Sequence, residues 1–331
     1  MKTTKKWLSI LTAFGLALGL AACGNGGNAS TEAATDAGAD TTAAETAAEE
    51  STEAASESTS AGDKTIGFVI STQTNPFFVS MKEGAEAKAK DLGVNLIVLD
   101  AQDDAAQATA GMEDLITKKV DLIIVNPTDS DAIGNAVIEA NDAQIPVITV
   151  DRASNAGDVL THIASDNVAG GKMAGDLIIE KLGGKGKVVE LEGVPGANSA
   201  IERGQGFNDA IATSDIEVVA KQTANFDRTE GLNVMENILQ AQPEIDAVFA
   251  HNDEMALGAL EAIEGSGREI LVVGFDATDD AVKAVEDGRM TATVAQQPQL
   301  MGEMAIEYAL KAINGETLEK SIPVDLQLVT K

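Results

Sequence analysis

The sequence predicts an α/β protein of two doubly wound parallel-sheet lobes with a cleft between them. Three observations carry this. From Lys64 onward, short β-rich runs alternate with helical stretches about every 25 residues, the pattern of repeated strand–helix–strand units. Many runs are continuously apolar, such as Leu122-Ile123-Ile124-Val125 and Leu271-Val272-Val273. Such strands are covered on both faces and are therefore parallel. The pattern also restarts. Gly183-Gly184-Lys185-Gly186 breaks the chain, Lys187-Val188-Val189-Glu190 opens a new strand, and the 268 residues of 64–331 are near the size at which one core splits into two.

In order, the predicted strands are Thr65–Ser71, Asn95–Leu99, Asp121–Asn126, Pro146–Val150, Thr161–Ala164, Lys187–Leu191, Glu217–Gln222, Asp246–Ala250, Ile270–Phe275 and Thr291–Ala295. The predicted helices are Val79–Asp91, Ala105–Lys118, Asp131–Asp142, Val168–Leu182, Ala200–Ala212, Arg228–Gln240, Met255–Glu264 and Gln299–Ile313. The acidic pairs Asp103-Asp104 and Asp279-Asp280 read as helix-start charges, not metal ligands.

The segment before Lys64 has a different texture. Lys2, Lys5 and Lys6 precede an apolar stretch from Trp7 to about Leu20, then Leu20-Ala21-Ala22-Cys23-Gly24. A basic start, a short apolar run and small residues before a cut make a secretory signal, residues 1–22. The run is short for a transmembrane helix, which needs about 20 apolar residues. Leu-Ala-Ala-Cys resembles the lipobox of bacterial lipoproteins, which implies acylation of Cys23 with palmitate or similar chains. Cys23 is the only cysteine in 331 residues, so an internal disulfide is excluded. Residues 24–62 hold eight acids, no Lys or Arg, and no Val, Ile, Leu or aromatic residue. That composition buries too little apolar surface to offset ordering entropy, so residues 23–62 are expected to be a disordered acidic tether.

The net charge of −30 becomes −33 without the three signal lysines, and −25 once the eight tether acids are set aside. So acidic a domain is unsuited to nucleic acid, whose phosphates need clustered Lys and Arg.

Ligands of open α/β sheets sit beyond the carboxyl ends of the strands. The residues there are polar: Ser71 and Asn75-Pro76-Phe77-Phe78, Asn126, Asp151-Arg152, Arg203, Asn225-Phe226-Asp227-Arg228, Asn252-Asp253, Asp276 and Gln296. An Asp accepts from two neighbouring hydroxyls while an Arg donates to the same oxygens, and such charge-assisted bonds are strong. Only 3% of the chain is aromatic, yet Phe77, Phe78 and Phe226 all fall at strand ends, where flat rings can cover the C–H faces of a sugar. Each residue alone also fits a plainer role. An Asn or Asp after a strand serves as a turn or helix cap, and Phe77-Phe78 serves as core.

The segments Ser71-Thr72, Asn75-Pro76-Phe77-Phe78-Val79-Ser80, Val125–Asp131 and Pro146–Arg152 resemble the D-ribose-binding proteins of bacterial ABC importers. So do His162–Asn167, Glu202-Arg203-Gly204, Asn225–Arg228, Asn252–Leu260 and Val273-Gly274-Phe275-Asp276. These form a group within the periplasmic binding protein family, with a LacI-like ligand-binding fold. The resemblance spans nearly all of 64–331. It implies a ribose site of Ser71, Asn75, Phe77, Phe78, Asn126, Asp151, Arg152, Arg203, Phe226, Asn252, Asp276 and Gln296. It implies a three-segment hinge at Ser165-Asp166, Gln296-Gln297 and Asp325-Leu326. The lobes would be 64–165 plus 297–325, and 166–296 plus 326–331. The implied partners are D-ribose and a membrane permease driven by a separate ATPase, with no cofactor and no metal. The expected protein is a monomer, exported and lipid-anchored to the outer face of the cell membrane. Its departures from the pattern lie around the site: His251 before Asn252, Gln297 after Gln296, and a slightly shortened Glu264–Glu269 loop.

Other functions fit less well. The chain has two histidines, His162 and His251, no Gly-x-Ser-x-Gly elbow, no Walker loop and no metal-ligand cluster, so an enzyme is not expected. His162 reads as structural, and His251 as a rim or packing residue. A sugar-responsive repressor shares the two-lobed architecture but needs a basic helix-turn-helix where the signal and acidic tether stand. Another sugar, autoinducer-2, or a second role presenting sugar to a chemoreceptor stay open.

Overall fold

Strand ends, not strand middles, place the candidate site residues. The computed structural model describes residues 64–331. The predicted signal (1–22), Cys23 and the whole of the tether (23–62) lie outside the described residues.

The first sheet holds β1 (Thr65–Ile70), β2 (Asn95–Asp100), β3 (Leu122–Val125), β4 (Val147–Val150), β5 (Val159–Ser165) and β11 (Ser321–Val324), in the order β11-β5-β4-β3-β1-β2. The second holds β6 (Lys185–Glu192), β7 (Asp215–Thr223), β8 (Ala247–Ala250), β9 (Leu271–Asp276), β10 (Ala292–Ala295) and β12 (Gln327–Thr330), in the order β12-β10-β9-β8-β6-β7. Every pairing is parallel except β10 with β12.

Strand periodicity explains why apolar runs make these sheets. Successive side chains point to opposite faces. Ile66, Phe68 and Ile70 join the core on one face of the first sheet with Leu122 and Ile124, while Val69, Ile123 and Val125 join the core on the other. The second sheet divides likewise: Val189, Leu191 and Val248 on one side, Val188, Ala247 and Phe249 on the other.

Helices cover both faces: α1 (Pro76–Leu92), α2 (Ala105–Lys118), α3 (Gly134–Asp142), α4 (Asn167–Leu182), α5 (Asn198–Ile211), α6 (Arg228–Ala241), α7 (Asp253–Ser266), α8 (Asp279–Asp287) and α9 (Pro298–Ile313). The chain leaves the first sheet after β5 and enters α4, which packs on the second sheet. It returns after β10 through α9, which packs with α1 on the first sheet, and passes once more from β11 to β12.

Three elements were absent from the sequence prediction. β11 is four residues long and contains Pro323, which a strand tolerates at a sheet edge, where β11 lies. β12 is equally short. α8 begins at the Asp279-Asp280 pair already read as helix-start charge.

α1 and α9 approach closely enough that a Cβ on Gly302 would strike the Met81 carbonyl. Gly302→Ala should therefore destabilise the protein by about 1–3 kcal/mol, the usual cost of overpacking. A melting midpoint lowered by about 3–10 °C is expected at this size; an unchanged midpoint would show that the helices separate freely.

Candidate functional site

The carboxyl ends of the two sheets face one another around a small, tightly closed cavity. Asn75, Phe77, Phe78, Asp151, Arg152, Ser199, Arg203, Phe226, Asn252, Asp276 and Gln296 line it. Ten of the twelve residues named from the sequence are in that lining. The other two stand directly behind it. Ser71 donates through its backbone N (3.2 Å) and Oγ (2.5 Å) to Asn126 Oδ1, and Asn126 Nδ2 donates to Asp151 Oδ2 at 3.2 Å. They aim Asp151 and leave the cavity wall to it. Ser199 was not foreseen. It stands one helical turn before Arg203 on α5, hence on the same helix face, and that spacing was the available signal.

Local sequence explains the placement. Asn75 and Asn252 are the N-caps of α1 and α7: Asn75 Oδ1 accepts from Phe77 N at 2.9 Å, and Asn252 Oδ1 from Met255 N at 3.0 Å. Capping uses the oxygen, so the Asn75 amide NH₂ remains free to donate, while Asn252 Nδ2 reaches the Phe226 carbonyl at 3.2 Å. The cap and the place in the cavity lining coexist in each residue. Phe77 and Phe78 do the same, packing edge-to-face at 5.1 Å within the core of the first sheet while lining the cavity.

Three lining residues have left-handed backbone: Asp151 (φ 61°), Phe226 (φ 61°) and Asp276 (φ 120°). A bulky residue there is uncommon, and such strain concentrates at functional sites. Phe226 is held in place by Gly193, where any Cβ would run into its ring.

Charge is the dominant feature. Asp151, Arg152, Arg203 and Asp276 are each at most 6% exposed. Arg152 Nε lies 3.8 Å from Asp151 Oδ2, and Arg203 Nη1 lies 3.8 Å from Asp276 Oδ1. Burial pushes both carboxyls above their usual range, the arginines opposing it; burial likewise pulls both guanidinium groups down, against the aspartates. The pairs are long, so neither is fully satisfied by its partner. Arg152 Nε and Gln296 Oε1 are buried with no hydrogen-bond partner. Arg152 also stacks between Phe78 (5.0 Å) and Phe226 (5.1 Å), one ring from each lobe, and Arg203 lies 3.8 Å from the Phe275 ring centre. The ensemble offers paired acceptors, fork-shaped donors and flat apolar faces in one small space.

Through Phe77, Asp276 and Gln296 the cavity meets a groove of about 1250 Å³, open to solvent, lined also by Ser80, Glu83, Arg228 and Glu254. Although larger, that groove lacks the buried Asp–Arg pairs. Neither histidine reaches the cavity. His162 Nδ1 bonds Thr149 Oγ1 at 2.9 Å between β5 and β4, and His251 Nε2 meets the fully buried Glu190 at 3.1 Å. His251 is thus packed, not at the rim, and its carbonyl accepts from Arg203 Nη1 at 2.7 Å. Among the described residues no cluster of His, Cys, Asp or Glu is arranged to hold a metal ion.

Asp253 sits behind Asp276, fully buried, accepting from Thr293 Oγ1 (2.7 Å) and Thr278 N (2.8 Å). Burial pushes its carboxyl up to about 7, against those two bonds. The unfolded chain releases this proton near its ordinary value of 3.8, the folded chain only near 7. Between those values the folded state binds more protons, so stability falls as pH rises. Asp253→Asn, which keeps the shape without the charge, should flatten that decline. Urea midpoints measured from pH 4 to 8 check it; an unaltered slope would place the titration elsewhere.

Residues 66–317 match the family described as periplasmic binding protein domain. The chain is 52% identical over 273 residues to ribose import binding protein RbsB of Haemophilus influenzae, covering 82% of this chain and 94% of that one. It is 54% identical over 268 residues to the protein of the same name from Salmonella typhimurium, covering 81% and 90%. Among solved structures, an ABC transporter periplasmic solute binding protein of Actinobacillus succinogenes 130z, crystallised with bound D-allose, superposes with a TM-score of 0.76. It is 38% identical, over 81% of this chain and 97% of that one. These names describe solute binding, not catalysis. With the family pattern matched over most of its length and about half of the aligned residues shared with these relatives, the chain belongs to the periplasmic binding protein family.

Proposed function

We propose that this chain is the substrate-binding protein of an ABC importer, capturing D-ribose in the cleft and delivering it to a membrane permease driven by a separate ATPase. One observation carries the proposal. Two buried Asp–Arg pairs, one from each lobe, face a shared cavity, and Arg152 Nε and Gln296 Oε1 there lack protein partners. A small polyhydroxylated ligand supplies what they lack: hydroxyls donate to Asp151 and Asp276, and accept from Arg152, Arg203 and the Asn75 amide. Phe77, Phe78 and Phe226 cover its C–H faces. The names of the relatives at 52–54% identity make ribose the first choice. A second reading, a hexose of the same hydroxyl configuration, has support from the neighbour that holds D-allose.

Ser165-Asp166, Gln296-Gln297 and Asp325-Leu326 form the hinge in this proposal, dividing 64–165 plus 297–325 from 166–296 plus 326–331. The open form admits sugar, and contacts from both lobes favour the shut form, which docks on the permease. Among the described residues no helix is long and apolar enough to cross a membrane. Attachment is assigned to acylated Cys23 at the end of the acidic tether, after export and removal of residues 1–22. The working unit is a monomer.

The test is a thermal melt of the full chain carrying Cys23→Ser, alone and with ribose, allose, xylose, arabinose and glucose. Ribose at about 100 times its Kd contributes about 2.7 kcal/mol to the native state, a rise of about 5–10 °C. Asp276→Asn should weaken ribose about 100-fold, since charge-assisted bonds are lost, and should also lower the ligand-free midpoint, since Arg203 is left without its anion. If another sugar shifted the midpoint and ribose did not, the ribose assignment would fall and the fold would stand. For the anchor, the wild-type protein expressed in bacteria should partition with membranes and detergent, and Cys23→Ser should move to the aqueous phase. Equal partitioning of the two would exclude lipid on Cys23.

A further inference from the structure

The lobes also touch away from the cavity, and those contacts are specific. The turn after β3 is fixed by Asp129, whose Oδ1 accepts from Asp131 N (2.9 Å) and Ala132 N (2.8 Å). It thereby presents Ser130, which is 1% exposed, to the loop after β6. Ser130 N donates to the Gly196 carbonyl at 3.0 Å, and Asn198 N donates to Ser130 Oγ at 3.3 Å. Ala153 N, after β4, donates to Asn198 Oδ1 at 2.9 Å. The Asn198 amide is oriented from its own helix, with Nδ2 donating to Glu202 Oε1 at 3.1 Å. None of these residues lines the cavity.

We propose that Ser130 and Asn198, with the backbone of Ala153 and Gly196, form a latch between the lobes that sets how long the shut form holds its sugar. The proposal rests on hinge closure as the working motion. The bonds of Ser130 to Gly196, Asn198 to Ser130 and Ala153 to Asn198 each join residues of opposite lobes, so each is made only when the lobes meet. A latch of this kind raises affinity without contacting ligand, and acts on release rather than capture.

Calorimetric titration of the full chain carrying Cys23→Ser with ribose, together with a chase of bound radiolabelled ribose, tests it. Asn198→Ala should weaken binding about 3- to 10-fold, the worth of one net hydrogen bond. Release should quicken by the same factor, with the ligand-free melting midpoint unchanged. Ser130→Ala should act in the same direction. The double variant should lose less than the product of the two single losses, because both serve one contact. Unchanged affinity in Asn198→Ala overturns the latch. So does a weaker affinity accompanied by a lower ligand-free midpoint and an unchanged release rate, which assigns Asn198 to the folding of α5. If the unsubstituted protein binds a different sugar of the melting panel, ribose fails as ligand and the same variants are judged with that sugar. If none binds, the sugar-binding reading has failed in the unsubstituted protein itself, and the latch falls with it.

Discussion

A buried carboxylate is costly unless a cation and hydrogen-bond donors stand beside it, and this cleft buries two. Asp151 and Asp276 each have an arginine at 3.8 Å, close enough for attraction but too far for a full ion pair. Removing either partner leaves a charge stranded, at a cost of several kcal/mol. The residues around these two carboxylates serve this constraint. Ser71 and Asn126 orient Asp151, Gln296 donates to Asp276 at 2.8 Å, and the His251 carbonyl holds Arg203. The imperfect pairing is what leaves capacity for hydroxyl groups.

The same constraint ties the two lobes to each other across the cleft. Arg152 of the first lobe lies over Phe226 of the second. Closing the cleft removes water, lowers the local dielectric and strengthens every charged contact inside it. Direct lobe-to-lobe bonds at Ser130 and Asn198 add a component independent of the ligand. Stability and function pull against each other here. Asp253, pushed up by burial behind Asp276, raises its neighbour's carboxyl further.

Much of this was legible in the sequence, for identifiable reasons. Continuous apolar runs such as Leu122–Val125 marked parallel strands because both sheet faces are covered, and polar residues directly after them marked the cavity because strands end there. Depth was not legible. Ser71 and Asn126 follow strands as Asp151 does, yet stand a layer behind it, because strand register and not sequence position sets how far a residue projects. Ser199 was missed because a serine at a helix start looks like a cap. Asp253 was named with the polar residues at the strand ends but not among the twelve; only its packing against Thr293 and Thr278 shows it to be buried. β11 was hidden by Pro323, whose tolerance depends on an edge position that local sequence does not encode.

In the proposed motion the buried charges of both lobes close on one small sugar. Small-angle X-ray scattering of the full chain carrying Cys23→Ser, with and without saturating ribose, tests it most directly. A smaller radius of gyration and a more compact distance distribution are expected with ribose. Identical profiles, under conditions where calorimetry shows ribose bound, would contradict closure as the consequence of binding.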